Sequence, residues 1–288
     1  MSDMKKHYLL LLLIILVHGC ATYETKYAEP FSVTTGLVER ELEHTFYLIG
    51  DAGKSPMGDL NPTLKRFKNV LDVADNNSTA IFLGDNIYPV GFVDKDADRD
   101  GYERSKHYLD AQLATLENFK GNTIFIPGNH DWYSNGLKGL KREEEYVEDV
   151  LDDNEAFQPE NGCPIEDIEI NENTMVIAID TEWYLVDWDK HPTMNDECEI
   201  KDRSRFFEEL ESLIKKNRDK TVIIAMHHPM FSYGSHGGQF SFKQGMYPSG
   251  GKVPLPILGS AVNLLRKTSG ATAEDLSNKR YNELKNRI

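Results

Sequence analysis

Four short apolar runs in this chain each end in a group of polar residues that could bind a metal. Runs of this length and composition are typical of buried strands. The runs and their endings are Phe46 to Ile49 before Gly50-Asp51-Ala52-Gly53, Ala80 to Leu83 before Gly84-Asp85-Asn86-Ile87-Tyr88, Thr123 to Ile126 before Gly128-Asn129-His130-Asp131, and Val222 to Ala225 before His227-His228-Pro229. Because neighbouring parallel strands end at one edge of a sheet, the pattern predicts an α/β domain with a site on strand-end loops.

Segments with apolar residues at helical spacing separate these strands. Asn61-Pro62 has the residue types of a helix N-cap and first helical position, and Leu64, Phe67 and Leu71 follow on one helical face. The spacing predicts further helices over 103–119, 140–151, 202–217 and 273–288, a strand pair at 165–170 and 175–180, and a glycine-rich loop over 234–251.

Charge and length exclude some classes of protein. The 288 residues include 32 basic and 47 acidic ones, for a net charge of −15. That charge repels a polyanionic backbone, so nucleic acid is not an expected partner. The length suffices for one large domain or two small ones with a buried core.

The N-terminus has the pattern of an export signal. Lys5 and Lys6 precede an apolar run from Leu9 to Val17, which is too short to span a bilayer but suits a secretory signal. Cys20 follows closely, and the stretch resembles a bacterial lipoprotein signal in which this cysteine becomes the lipidated first residue. We therefore predict a signal peptide over 1–19, a lipidated tether over 20–41, a domain over 42–288, and an exported, membrane-anchored protein that faces the periplasm or the cell surface. An ordinary cleaved signal and an uncleaved anchor are the alternatives.

Two cysteines remain after Cys20. Cys163 and Cys198 flank the predicted strand at 175–180 and its following loop. An oxidising compartment makes a disulfide between them plausible, and two free thiols are the alternative.

The strand-end residues suit a site for two metal ions. Such a pair can polarise a phosphate, lower the pKa of water and stabilise an in-line displacement. Carboxylate and phenol oxygens suit a hard ion, and imidazole suits a softer one. The candidate ligands are Asp51, Asp85, Tyr88, Asn129 and His227.

The four motifs, in this order, resemble those of the calcineurin-like metallophosphoesterase superfamily. Within it they are most similar to purple acid phosphatases, particularly the small tartrate-resistant type, over about residues 45–237. Many members have a metal-binding histidine two residues after the first aspartate. Gly53 stands there in this chain, and Tyr88 matches the tyrosine of purple acid phosphatases.

The resemblance implies a four-layer α/β/β/α sandwich of two mixed sheets flanked by helices, and hydrolysis of small phosphate monoesters. It implies that Asp51 and Tyr88 bind Fe(III), that Asp85 bridges, and that Asn129 and His227 bind a divalent Zn, Fe or Mn ion. His130 and His236 match two histidines that contact the phosphate or the leaving group. Their implied work is charge stabilisation or proton donation.

One family motif has no counterpart. The family ends its site with a G-x-H-x-H loop, whereas no histidine follows His236 here. We expect that loop beyond residue 288, which makes the domain incomplete at its C-terminus and this chain alone weak in metal binding and nearly inactive.

Three alternatives stay open. A phosphodiesterase or nucleotidase would use the same fold. A non-catalytic surface lipoprotein would have a decayed site. A calcium-binding module is suggested by Asp96, Asp98 and Asp100, which copy half of an EF-hand loop, although His107 stands where a glutamate is needed.

Overall fold

The computed structural model describes residues 42–187, 195–248 and 253–288. Within them, six strands form two three-stranded sheets. The strands are β1 (Thr45–Ile49), β2 (Ser78–Leu83), β3 (Asn122–Ile126), β4 (Ile165–Asn171), β5 (Thr174–Ile179) and β6 (Thr221–Met226).

The two sheets differ in strand direction. In the first sheet β1, β2 and β3 are parallel neighbours in sequence order, with Leu48 opposite Ile81 and Phe82 opposite Phe125. In the second sheet β4 pairs antiparallel with β5, and β5 pairs parallel with β6. Only the second sheet is therefore mixed within the described residues, and the expectation of two mixed sheets needs that correction. The reason is that a tight turn joins β4 to β5, whereas helical crossovers join β1 to β2 and β2 to β3.

Helices connect the strands and follow them. They are α1 (Pro62–Leu71), α2 (Arg99–Leu113), α3 (Leu137–Leu151), α4 (Thr181–Leu185), α5 (Phe206–Lys216), α6 (Phe242–Met246), α7 (Pro256–Ser269) and α8 (Lys279–Arg287). The N-cap prediction for the first helix is confirmed, since the Asn61 side chain accepts a hydrogen bond from the Leu64 N–H.

Two apolar clusters give the layering. Ile81 and Ile124 of the first sheet pack against Val176 and Ala178 of the second, so this cluster lies between the sheets. Side chains on the opposite faces of the strands, such as Phe82, join the larger cluster that includes the helices. Because alternate strand residues face opposite sides, each sheet contacts the other sheet on one face and helices on the other. The predicted α/β architecture of two sheets flanked by helices is confirmed.

The segment after β6 differs most from prediction. The expected loop over 234–251 contains the short helix α6, and the sequence pattern did not predict α7 at all. The expected helix over 273–288 begins only at Lys279, after Asn278 caps it. Leu276 therefore precedes the helix, and Ile288 directly after it is 37% exposed.

Cys163 and Cys198 are joined by a disulfide in the structure. The predicted signal peptide, Cys20 and most of the tether lie outside the described residues. Among the residues that the structure describes, no helix has both the length and the apolar character needed to cross a bilayer.

Candidate metal centre

The loops after β1 and β2 are joined through their backbones. The Asp51 N–H donates to the Gly84 carbonyl at 3.1 Å, and the Gly53 N–H donates to the Asp85 carbonyl at 3.0 Å. The Tyr88 N–H donates in turn to the Gly53 carbonyl at 2.9 Å. The parallel register of β1 and β2 brings the two loops side by side, so each motif depends on the other for its shape.

Two glycines allow this close approach. A Cβ on Gly53 would lie 2.4 Å from the Asp85 carbonyl oxygen, and a Cβ on Gly128 would lie 2.3 Å from the Asp85 nitrogen. Both distances are far inside van der Waals contact. The backbone of all three strand-end loops therefore meets around Asp85, and a larger residue at either glycine would push the loops apart.

Both predicted carboxylate ligands have left-handed backbone angles. The φ angles are +56° at Asp51 and +54° at Asp85. A non-glycine residue in this region costs about 1–3 kcal/mol and persists only where the surroundings enforce it. Strain of this kind is common at functional sites, and here it aims both side chains into the space beyond the strand ends.

Three ligand atoms lie within reach of one ion. One atom each of Asp51, Asp85 and His227 lies within 4.8 Å of the other two. The His227 Nε2 is 3.4 Å from the Asp85 Oδ1, which also accepts a hydrogen bond from the His130 N–H at 3.0 Å. Asp85 is only 3% exposed. Two close carboxylates and an imidazole are a donor set that a cation would satisfy.

The Tyr88 phenol belongs to the same group. Its O–H donates to the Asp51 Oδ1 at 2.6 Å. Burial raises the pKa of Tyr88 far above its usual range, and the hydrogen bonds and negative charges of Asp51 and Asp85 raise it further. The phenol therefore keeps its proton in the protein alone. A bound cation would oppose that effect, because it favours the phenolate.

The His227 ring is oriented from behind. Its Nδ1 lies 2.8 Å from the Leu83 carbonyl oxygen, which can only accept a hydrogen bond. Nδ1 therefore carries the proton in the neutral ring, and the lone pair is on Nε2, the atom nearest Asp85. Hydrogen bonds of this kind orient metal-binding histidines in general. The residues present thus fit a metal ion.

The two predicted catalytic histidines lie at different parts of the rim. The His130 Nδ1 is 2.6 Å from the Pro89 carbonyl oxygen, and its Nε2 is 4.0 Å from the Asp85 Oδ2. The His236 ring lies between two carboxylates, with Nε2 at 3.6 Å from the Glu274 Oε2 and Nδ1 at 3.7 Å from the Asp275 Oδ1. Its side chain is 45% exposed, compared with 28% for His130.

One cavity collects the predicted residues. It has a volume of about 350 Å³ and opens to solvent. Its lining includes Asp51, Asp85, Tyr88, Asn129, His130, His227 and His236. Residues that are more than 180 positions apart in the chain thus share one surface, as the strand-end argument predicts.

Sequence reasoning missed two contributors. Glu274 lines the cavity, and its Oε1 accepts hydrogen bonds from the Tyr133 O–H at 2.9 Å and from the Asn129 Nδ2 at 3.3 Å. The Asn129 Nδ2 also donates to the Tyr133 Oη at 2.7 Å. Glu274 follows no apolar run and belongs to no motif, so no sequence signal indicates it.

A buried carboxylate supports the loops from behind. Asp131 is fully buried and accepts backbone hydrogen bonds from Gly128 at 2.7 Å, Ile87 at 3.0 Å and Asn86 at 3.2 Å. These bonds connect the loop after β2 to the loop after β3. Asp131 therefore helps to hold the strand-end loops in place without facing the cavity.

Two other polar groups support the site from the second sheet. Asp180 caps α4 by accepting from the Trp183 N–H at 3.0 Å, and it also accepts from the Trp132 Nε1 at 2.9 Å. Burial raises the pKa of Asp180 to about 7. The His228 Nδ1 lies 2.6 Å from the Thr181 hydroxyl, and burial lowers the pKa of His228 well below its usual range, with His227 and His236 lowering it further. Asp180 therefore has a structural role at the end of β5, whereas His228 also lines the cavity.

Residues 44–253 match the sequence family described as calcineurin-like phosphoesterase. A comparison with curated proteins gives no significant match. The matched region contains all six strands and every predicted metal-binding and catalytic residue. This chain therefore belongs to the calcineurin-like phosphoesterases, a family of metal-dependent hydrolases of phosphoester bonds.

Proposed function

We propose that this protein hydrolyses phosphate monoesters with a pair of metal ions, in the manner of purple acid phosphatases. The observation that carries the proposal is the convergence of Asp51, Asp85, Tyr88, Asn129 and His227 on one solvent-exposed cavity. The Tyr88 phenol beside Asp51 supports the purple acid phosphatase type within the family, because imidazole commonly stands in its place.

Each proposed ligand has a role that follows from its chemistry. Asp51 and Tyr88 would hold the first ion. We expect this ion to be Fe(III), because a phenolate prefers a hard trivalent ion. Asp85 would bridge the two ions. Asn129 and His227 would hold the second ion, a divalent Zn, Fe or Mn. When bound, the pair supplies Lewis-acid stabilisation of the reacting phosphate and activation of water.

The histidines of the chain supply the remaining chemistry. His130 and His236 lie on the rim of the cavity. The His130 Nδ1 faces the Pro89 carbonyl oxygen, so its Nε2 can donate a hydrogen bond to a phosphate oxygen only when the ring is protonated. A protonated ring can also give its proton to the departing alkoxide, which otherwise leaves as a strong base. The Asp275 and Glu274 carboxylates beside His236 compensate the positive charge of its protonated ring.

Two family histidines would complete the site. The family supplies one imidazole to each metal from a G-x-H-x-H loop, and no histidine follows His236 in this chain. A decayed, non-catalytic site is the alternative, and it predicts that the protein binds no stoichiometric iron.

The substrate class can be tested with two model esters. The protein, loaded with iron and then zinc or manganese, should hydrolyse p-nitrophenyl phosphate faster than bis-p-nitrophenyl phosphate. The reverse preference would indicate a phosphodiesterase. Absence of both activities in protein that binds stoichiometric metal would contradict the proposed reaction.

The identity of the first metal has its own test. A phenolate bound to Fe(III) absorbs visible light, so the iron-loaded protein should be coloured. The Tyr88→Phe variant removes the phenol and keeps the ring, and it should lose the absorption band. A band that survives this change would exclude Tyr88 as the iron ligand.

We also propose that Cys20 anchors the protein to a membrane through lipid. Support comes from the basic, apolar and cysteine order of residues 5–20. In cells, the wild-type protein should fractionate with membranes and the Cys20→Ala variant should not. Equal fractionation of both would contradict lipidation at this residue.

A further inference from the structure

Glu274 reaches the cavity from outside the matched family region. It follows α7, twenty-one residues beyond residue 253, where the family match ends. Its two carboxylate oxygens contact different parts of the site. Oε1 contacts Tyr133 and Asn129, and Oε2 lies 3.6 Å from the His236 Nε2. One side chain thus connects a proposed metal ligand to a proposed catalytic histidine.

The hydrogen bonds around Asn129 have one consistent arrangement. An ionised carboxylate has no hydrogen to donate, so the group that faces the Glu274 Oε1 must be the NH₂ group of Asn129. The Tyr133 hydroxyl has one hydrogen and gives it to Glu274 at 2.9 Å. Its lone pairs then accept from the Asn129 NH₂ at 2.7 Å. All three contacts place the amide nitrogen on the side of Glu274 and leave the amide oxygen on the other side.

Tyr133 alone would not determine this orientation. A hydroxyl can donate or accept, so without Glu274 the Tyr133 O–H could donate to the Asn129 amide oxygen, and the amide could turn over. An amide binds a metal through its oxygen, and a reversed amide would present NH₂ to the ion instead. The acceptor at Glu274 therefore decides which face of Asn129 is available to a metal.

We propose that Glu274 is a positioning residue of the metal centre. It holds the Asn129 amide so that the oxygen is presented to the metal, and it holds the His236 ring beside the same site. This inference rests on the proposed function, in which Asn129 is a metal ligand. Partners behind a ligand commonly contribute 10–100-fold to metal affinity.

The test compares variants that keep or remove the hydrogen-bond acceptor at residue 274. The wild-type protein and its Glu274→Ala and Glu274→Gln variants are titrated with Mn(II) by calorimetry. Glu274→Ala should bind Mn(II) about tenfold or more weakly than wild type. Glu274→Gln keeps a side-chain oxygen that can accept from Tyr133 and Asn129, so it should restore most of the lost affinity. The matched control is Glu197→Ala, because Glu197 is an exposed carboxylate paired with Lys141 on the surface, and this variant should bind like wild type.

Each outcome is informative. Wild-type affinity in Glu274→Ala would overturn the inference and leave the proposed function intact. A Glu274→Gln variant as weak as Glu274→Ala would also overturn it, because the negative charge rather than the acceptor would then matter. A wild-type protein that neither binds Mn(II) nor hydrolyses phosphate esters would instead contradict the proposed function itself.

Discussion

The two sides of the candidate site are built in different ways. On the side of the first sheet, Asp51 and Asp85 stand on loops that are joined by backbone hydrogen bonds and by contacts that admit only glycine. On the other side, one backbone hydrogen bond from the Leu276 N–H to the His236 carbonyl joins the two segments, and the side chains of His236 and Glu274 are partly exposed and make side-chain contacts to each other at 3.6 Å and from Glu274 to Tyr133 at 2.9 Å. A backbone frame allows little adjustment, whereas side-chain contacts can be re-formed. Substitutions on the first side should therefore destroy the site, and those on the second should tune it.

The largest effect is expected at Asp85. Asp85→Asn keeps the size of the side chain and removes the charge that the proposed bridge requires. Turnover of p-nitrophenyl phosphate by the protein should fall more than about a hundredfold. Loss of a residue that only supports a metal ligand has a smaller effect. His236→Gln, on the other side, should leave metal binding unchanged and reduce kcat. Activity that survives in Asp85→Asn would contradict the bridging role. It would also contradict the proposed difference between the two sides of the site.

Two glycines in the loop after β1 test whether the joined strand-end loops are rigid. Gly53→Ala should destabilise the fold by about 1–3 kcal/mol or more and disturb metal binding, because its Cβ would meet the Asp85 carbonyl oxygen at 2.4 Å. Gly50→Ala is the matched control, since its nearest contact would be an ordinary 3.4 Å. It should change stability by no more than about 0.5 kcal/mol. Urea unfolding followed by circular dichroism measures both, and equal losses would remove the case for a rigid frame.

Asp180 makes the support from the second sheet dependent on pH. Its pKa is raised from 3.8 to about 7 by burial, so the folded state holds a proton that the unfolded state has released between these values. The unfolded state then binds fewer protons, and stability falls as pH rises from about 4 to about 7. The full shift corresponds to up to about 4 kcal/mol.

The measurement is the free energy of unfolding of wild type and Asp180→Asn across this pH range. The advantage of wild type should shrink as pH rises. Asp153→Asn serves as control, because Asp153 is exposed and caps only a local turn. A wild-type advantage that stays constant with pH would show that Asp180 keeps its ordinary pKa in the fold.

The smallest effect is expected at the start of α1, away from both sides of the site. Asn61→Ala removes the hydrogen bond to the Leu64 N–H at 2.8 Å and should cost about 1 kcal/mol. Activity of the full-length protein should not change. A large loss of activity would mean that the start of α1 also positions the loop that carries Asp51, and the division into two sides would need revision.

The strands and helices that the sequence predicted correctly are those whose conformation depends on neighbouring residues in the chain. The strand ends were predictable because an apolar run followed by glycine and a polar residue is a local pattern typical of a buried strand and its loop. The helix α7 was not, since its apolar side chains Ile257, Leu258, Leu264 and Leu265 are more than half exposed and do not form the buried stripe that such reasoning assumes. The late start of α8 at Lys279 also went unpredicted, because asparagine, the residue type at 278, is common in turns as well as in helix caps.

The sequence by itself determined the α/β class, the order of the motifs and the types of ligand, because these depend on residue chemistry and on periodicity along the chain. Only the tertiary structure decided that Glu274 and Tyr133 meet the amide of Asn129, which lies 145 positions before Glu274. Contacts of that range depend on how the loop after β3 and the segment between α7 and α8 come together beside the same cavity. No local pattern records such a contact, since it arises from the packing of the two sheets.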